Sequence, residues 1–206
     1  MPRRIEGVTE KLIEAARQEF LENGFEGASI RTIAAKAETS PRAVYTRFEN
    51  KEELFQAVIG AVYDGFMDIF REDKKIYWEE GRKVKYNITP EVTPKDFYVN
   101  YLKYAYTNKE DFMLLLTGSK GTKYEFFTRE LAELDIQGLY ENIRGVKKKA
   151  LKIFVENITY SFYDMLFDPF IRGVNLKTAV EYTDTLVEFY TQGILKVYDE
   201  MKQSTT

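Results

Sequence analysis

The chain has 206 residues, 44% of them hydrophobic, and a formal net charge of −3, enough for one helical domain or a small N-terminal module joined to a larger one. It contains neither cysteine nor histidine, which removes disulfides, thiol chemistry, the usual zinc, iron and copper sites, and Ser-His or Cys-His nucleophiles. Catalysis would have to rest on carboxylates, lysine or tyrosine, so no enzyme activity, cofactor or metal is expected.

No apolar stretch at the N-terminus reads as a signal peptide, and no run of about 18 apolar residues reads as a membrane span. A cytoplasmic protein without membrane contact is expected, and the sequons at Asn87 and Asn157 are read as chance. Every segment then reads as helix. Residues 9–23 place Leu12, Ile13, Ala16 and Phe20 on one face, and Asn23-Gly24 predicts a left-handed cap. Ser29 predicts an N-cap for a helix over 30–37, with Ile30, Ile33, Ala34 and Ala37 turned inward. Ser40, with Pro41 at the first helical position, starts a helix of about two turns. Asn50 and Glu53 resemble a capping box for a long helix ending near residue 73.

From 74 to 93 the mixed polar run with Gly81 and Pro90 predicts a loop. Further helices are expected over about 95–107, 109–116, 122–144, 147–167 and 176–202, the fourth of these stopped at Asp168-Pro169. Gly118-Ser119-Lys120-Gly121-Thr122 lacks the spacing and the preceding strand of a phosphate-binding loop and is read as an inter-helix turn. Lys147-Lys148-Lys149 is read as a solvated helix start.

The short helices over 30–48 meet the requirements of a helix-turn-helix. Ala34 is small where the second helix crosses, and Val44, ten residues on, is apolar. The turn between them places Glu38 where a left-handed backbone is common, at a cost on the order of 1 kcal/mol for a residue other than glycine. With Val44 and Phe48 inward, Arg42, Tyr45, Thr46 and Arg47 face outward or sideways. Arginine can pair bidentately with guanine, threonine can touch a thymine methyl, and tyrosine hydroxyls hold phosphate. Residues 29–48 carry Arg31, Lys36, Arg42 and Arg47 against Glu38 alone, a local charge of +3 on an acidic chain.

Residues 9–55 resemble the DNA-binding domain of TetR-family transcriptional regulators. The resemblance lies in an amphipathic helix ending in Asn-Gly-Phe, then Ile-Ala-x-x-Ala, then Val-Tyr-x-x-Phe-x-x-Lys-Glu-x-Leu. It implies an all-α chain: an N-terminal three-helix helix-turn-helix domain over 1–50 and a larger helical ligand-binding and dimerisation domain over 51–206. DNA contacts would fall on Ser40, Arg42, Ala43, Tyr45, Thr46, Arg47 and Lys51, with Ser29 and Arg31 at the edge. The family pattern has Gly at position 38 and a small residue at 42, so Glu38 and Arg42 depart from it.

The resemblance also gives the aromatic excess (15 Phe, 15 Tyr and one Trp) a place, an inducer pocket for a hydrophobic or planar effector. Candidates are Phe66, Trp78, Tyr101, Tyr104, Phe112, Tyr124, Phe127 and Phe162, although aromatics at helical spacing also build cores. The last two helices would form a four-helix homodimer interface through Phe154, Ile158, Met165, Val187, Tyr190, Ile194 and Val197. The expected function is a ligand-responsive repressor of a double-stranded palindromic operator. An activator or an effector-independent regulator of the same fold remains open, as does a helical small-molecule-binding protein or enzyme.

Overall fold

A computed structural model describes residues 8–83, 95–142 and 149–203. Among these residues the chain is all helical: α1 (Val8–Gly27), α2 (Ile30–Lys36), α3 (Pro41–Tyr45), α4 (Lys51–Lys83), α5 (Lys95–Thr107), α6 (Lys109–Thr117), α7 (Phe127–Asn142), α8 (Lys149–Ile171) and α9 (Leu176–Gln203). They form two compact units, one of residues 1–66 and 108–127, the other of 67–107 and 128–206.

In the first unit α1 packs against α2 and α6, and α2 against α3. Leu12, Ala16 and Phe20 of α1 are buried, as are Ile33, Ala34, Val44, Phe48 and Phe55. Phe20 meets Phe55 edge-on with ring centroids 4.9 Å apart. Arg17 of α1 pairs with Asp111 of α6 at 3.2 Å. The kink at Gly24 takes φ 65°, ψ 176°, a conformation that glycine adopts without Cβ strain. It turns the Phe25 amide to donate to the Gly118 carbonyl at 2.8 Å. The turn at 118–122 is held by side chains: the buried Ser119 hydroxyl lies 2.8 Å from the Leu115 carbonyl and 3.2 Å from that of Tyr124. The Thr122 hydroxyl donates back to Ser119 at 2.7 Å. Residues 122–126 are therefore turns, and α7 starts later than the periodicity predicts.

The second unit packs α5, α8 and α9 pairwise. Its aromatic core includes Tyr98 against Phe162 at 4.6 Å and Phe70 against Tyr101 at 5.7 Å. A charge sits in this core. Lys74 Nζ lies 2.9 Å from Asp135 Oδ1, with both side chains mostly buried. The Tyr163 hydroxyl donates to the other oxygen of the same carboxylate at 2.9 Å. The rings of Phe70, Tyr77, Tyr98 and Tyr163 surround the ammonium with centroids within 5.9 Å. Burial pushes the Tyr77 hydroxyl up to about 12 and raises the Tyr98 and Tyr163 hydroxyls well above the usual tyrosine range, so each remains neutral.

Three local expectations change. Helix α4 does not end near 73 but continues to Lys83, through Gly81. Lys74, which read as loop, has its charge met by Asp135, and the helix gains packing by continuing; residues 84–94, with Pro90, lie outside the described residues. Helix α8 does not stop at Asp168-Pro169 but includes Pro169 in its last turn. Proline there removes a single N–H, and Gly173 at φ 72° closes the helix, with Gly173 N–H donating to the Phe170 carbonyl and Val174 N–H to that of Pro169, both at 3.0 Å. Asn50 does cap α4, its Oδ1 accepting from Glu53 N–H at 2.8 Å. The Glu53 carboxylate accepts from Glu49 N–H rather than completing the reciprocal box with Asn50.

The left-handed turn at Glu38 has φ 54°. Its amide donates to the Ala35 carbonyl at 3.1 Å and the Thr39 amide to that of Ala34 at 2.9 Å, the paired closure in which glycine is preferred. Glu38→Gly is expected to stabilise the chain by about 1 kcal/mol, read as a rise in Tm of roughly 2–4 °C. Asp135→Ala strands a mostly buried ammonium and is expected to cost about 3 kcal/mol in urea denaturation. The double variant Lys74→Met/Asp135→Leu removes both charges and is expected to recover part of that loss, the remainder reflecting the Tyr163 hydroxyl left without its acceptor.

Candidate nucleic-acid interface

Helix α2 is set by its cap. Ser29 Oγ accepts from Thr32 N–H at 3.5 Å, and the Ser29 amide donates to the buried carboxylate of Glu19 at 3.2 Å. Lys36 closes this arrangement with Nζ 3.1 Å from Glu19 and 2.9 Å from Glu22, and those carboxylates raise its affinity for its proton. Two acidic residues of α1 thus neutralise one cation of the basic stretch. Sequence reasoning missed this, because nothing local to residue 36 reports a partner on another helix.

Helix α3 is five residues long, far below the length at which an isolated helix is stable. Ser40 Oγ accepts from Ala43 N–H at 3.2 Å, Pro41 fills the first position, and Val44 turns into the core at 1% exposure. The rest of the helix faces outward: Ser40, Arg42, Tyr45 and Thr46 are exposed, and Ala43 is half-buried. Tyr45 is 55% exposed, a large apolar ring left in solvent. The Thr46 hydroxyl donates to the Arg42 carbonyl at 2.8 Å.

The cations divide into two groups. Arg47 is half-buried and folds back, its Nη1 donating to the Ala43 carbonyl at 3.0 Å. Lys51 Nζ donates to the carbonyls of Ala28 and Glu26 at 3.2 and 3.3 Å and lies 4.5 Å above the centre of the Phe25 ring. It thereby places positive charge at the C-terminal end of α1, where the helix dipole favours it. Arg31 and Arg42 are exposed, and among the described residues neither side chain has a hydrogen bond or ion pair.

The aromatic candidates fall into two groups. Phe66, Phe112, Tyr124 and Phe127 are buried in the first unit, where Phe66, Phe112 and Phe127 lie within 5.9 Å of one another. Tyr101 and Phe162 are buried in the second unit, and Tyr104 is half-buried there. The side chain of Trp78 is outside the described residues. On α8 and α9 the expected seam is graded. Phe154, Met165 and Ile194 are exposed; Ile158, Tyr190 and Val197 are half-buried; Val187 is buried in its own unit. Phe189, which lies off that seam, is 73% exposed. Among the described residues no helix is long and apolar enough to cross a membrane.

Comparison with known proteins bears on this region first. The profile described as bacterial regulatory proteins, tetR family, matches residues 12–58. The chain is 39% identical over 62 residues to the HTH-type transcriptional regulator UidR of Escherichia coli, covering 30% of this chain and 32% of that protein. It is 48% identical over 48 residues to the nicotine-responsive transcriptional repressor HdnoR of Paenarthrobacter nicotinovorans, covering 23% of this chain and 25% of that protein. The chain thus spans about a third or less of the curated relatives it matches. The likeness of fold extends further. A TetR-like regulator from Rhodococcus superposes with a TM-score of 0.58 at 18% identity, over 94% of this chain and 99% of that one. A regulator of the same kind from Aquifex aeolicus gives 0.53 at 21% identity, over 90% and 99%. The similarity to the tetR family of bacterial regulatory proteins thus lies in the helix-turn-helix of this chain, with α1 before it and the start of α4 after it.

Proposed function

We propose that the protein is a ligand-responsive DNA-binding transcriptional regulator, a repressor released from a palindromic operator by a small hydrophobic or aromatic effector. The observation that carries the reading is α3: a five-residue helix anchored by Val44 and Phe48, with its polar side chains in solvent, inside the segment shared with known regulators. A helix so short adds little core, and its outward face suits a major groove. In this reading residues 1–50 bind DNA and 51–206 hold the effector and the dimer contacts.

A palindromic operator requires a two-fold partner. Support for one comes from Ile153, Phe154, Met165, Phe189 and Ile194, large apolar side chains exposed on α8 and α9. Apolar surface of this kind is what association would remove from water. The effector would lie among the aromatic side chains of the helical remainder, where tyrosine hydroxyls and the Lys74–Asp135 pair supply polar groups within an apolar wall. Helix α4 runs unbroken from Lys51 to Lys83. Effector binding that favours one setting of α4 would change the separation of the two reading helices and lower operator affinity.

Phe154 is 45% exposed, so Phe154→Glu is expected to leave the protomer folded. It should shift sedimentation from dimer to monomer and weaken operator binding at least about a hundredfold. A variant that stays dimeric, or a monomer with undiminished operator affinity, would defeat the α8–α9 assignment. Linkage sets a second expectation: an effector that weakens operator affinity by a given factor must itself bind the operator complex more weakly by the same factor. Operator titrations with and without effector, paired with effector titrations with and without operator, check it.

A further inference from the structure

We propose that Arg42 is the base-reading cation of this protein, donating to the N7 and O6 atoms of one guanine in each half-site. Arg47 and Lys51, which the family pattern also places at the DNA, instead hold the reading head together. This inference rests on the DNA-binding reading above.

The side chains divide the work. Arg47 has given a guanidinium N–H to the Ala43 carbonyl, and its Nε is buried without an acceptor. Lys51 has two backbone carbonyls and the Phe25 ring as partners. Lys36 is held by two carboxylates. To reach DNA, each of these cations would have to abandon contacts that shape the fold. Arg42 abandons nothing: its side chain is exposed and, among the described residues, has no partner. It stands at the second position of α3, after the Ser40 cap and Pro41, and base edges are met by the N-terminal residues of a recognition helix. Its neighbours Ser40, Pro41 and Ala43 are short, so the guanidinium is the longest group at that end of the helix.

Chemistry selects the base. Arginine offers only donors, and guanine alone presents two adjacent acceptors in the major groove. Thr46, one turn further on, has its hydroxyl proton committed to the Arg42 carbonyl, so it presents a methyl group and lone pairs. The donors of the α3 face are therefore Arg42 and the Ser40 and Tyr45 hydroxyls, and of these only the Arg42 guanidinium offers two parallel N–H groups. Arg31, on α2 and likewise without a partner among the described residues, is left for phosphate.

The test is operator selection from a random duplex pool with full-length wild type, Arg42→Ala, Arg42→Lys, Arg47→Ala and Lys51→Ala, followed by affinities across a salt series. Wild type is expected to select a half-site with one required guanine. Arg42→Ala should lose about 5- to 150-fold discrimination at that base pair with the slope of log affinity against log salt unchanged. Arg42→Lys keeps the charge and should still lose most of the discrimination. Replacing that guanine by 7-deazaguanine should weaken wild type by at least about fivefold and leave Arg42→Ala indifferent. Arg47→Ala and Lys51→Ala should select the same guanine and show a lower Tm. The proposal is overturned if Arg42→Ala weakens all sequences equally and reduces the salt slope by about 0.9 per protomer, the mark of a phosphate contact. It is also overturned if the guanine requirement disappears with Arg47→Ala and survives Arg42→Ala. Wild type that selects no sequence would overturn the DNA-binding reading itself.

Discussion

The packing of α3 on α2 is the constraint on which the helix-turn-helix depends. Five residues cannot hold a helix in water, since the conformational entropy of nucleation is repaid by too few hydrogen bonds. Helix α3 exists because it packs on α2 with Val44 and Phe48 buried, as are Ile33 and Ala34, and because Ser40 meets an amide at its start. Once those inward positions are fixed, the rest follows from helical geometry. Arg42, Tyr45 and Thr46 must project outward, because no other face is left to them. Alanine at 34 lets the two backbones approach, and a larger residue there would lift α3 and displace every side chain it presents.

Electrostatics at this surface are leaner than the sequence suggests. Four basic residues within 29–48 read as a patch, yet Lys36 and Arg47 are occupied within the fold, as is Lys51 just beyond. The net charge of −3 adds no general attraction to a polyanion. Counterion release scales with the number of phosphates neutralised, so a head with few available cations gains little non-specific affinity. In the proposed DNA-binding reading, affinity then rests on groove contacts and on the doubling of half-sites. Arg47 and Lys51 serve this indirectly, one tying α3 to its own carbonyl and the other closing the end of α1.

How much was legible in the sequence depends on whether the deciding partner was local. The caps at Ser29, Ser40 and Asn50, the left-handed turn at Glu38 and the inward Ala34 and Val44 are set by neighbours within a few residues, and the structure has them as expected. The continuation of α4 past residue 73 was not legible. Residues 74–93 read as a loop until Asp135, distant in sequence and itself held by the Tyr163 hydroxyl, supplies a carboxylate for Lys74. Pro169 misled for the related reason that its cost depends on how near the helix end lies, and Gly173 fixes that end. On α9 the heptad-like spacing marked Val187 and Ile194 alike, although one is buried in its own unit and the other is exposed. Periodicity gives a face, and only the neighbouring helices decide which part of that face is already covered.

The two departures from the family pattern, Glu38 and Arg42, differ in what they change. At 38 the demand is on the backbone: φ 54° favours glycine, and glutamate meets it at a cost in stability while its side chain stays in solvent. The turn keeps its two hydrogen bonds, so α3 is delivered in the same way. At 42 the demand is on surface. A small residue there lets helix and groove approach closely, whereas arginine holds a planar donor group in that space. The first departure is therefore absorbed by folding free energy and leaves the outward face of α3 unchanged. The second places no demand on the fold's polar contacts, because the Arg42 side chain is exposed and, among the described residues, has no hydrogen bond or ion pair. If the proposed DNA-binding reading holds, a scaffold that separates the two kinds of change in this way could vary its target by substitution at one exposed position, provided that Val44 and Ala34 stay as they are.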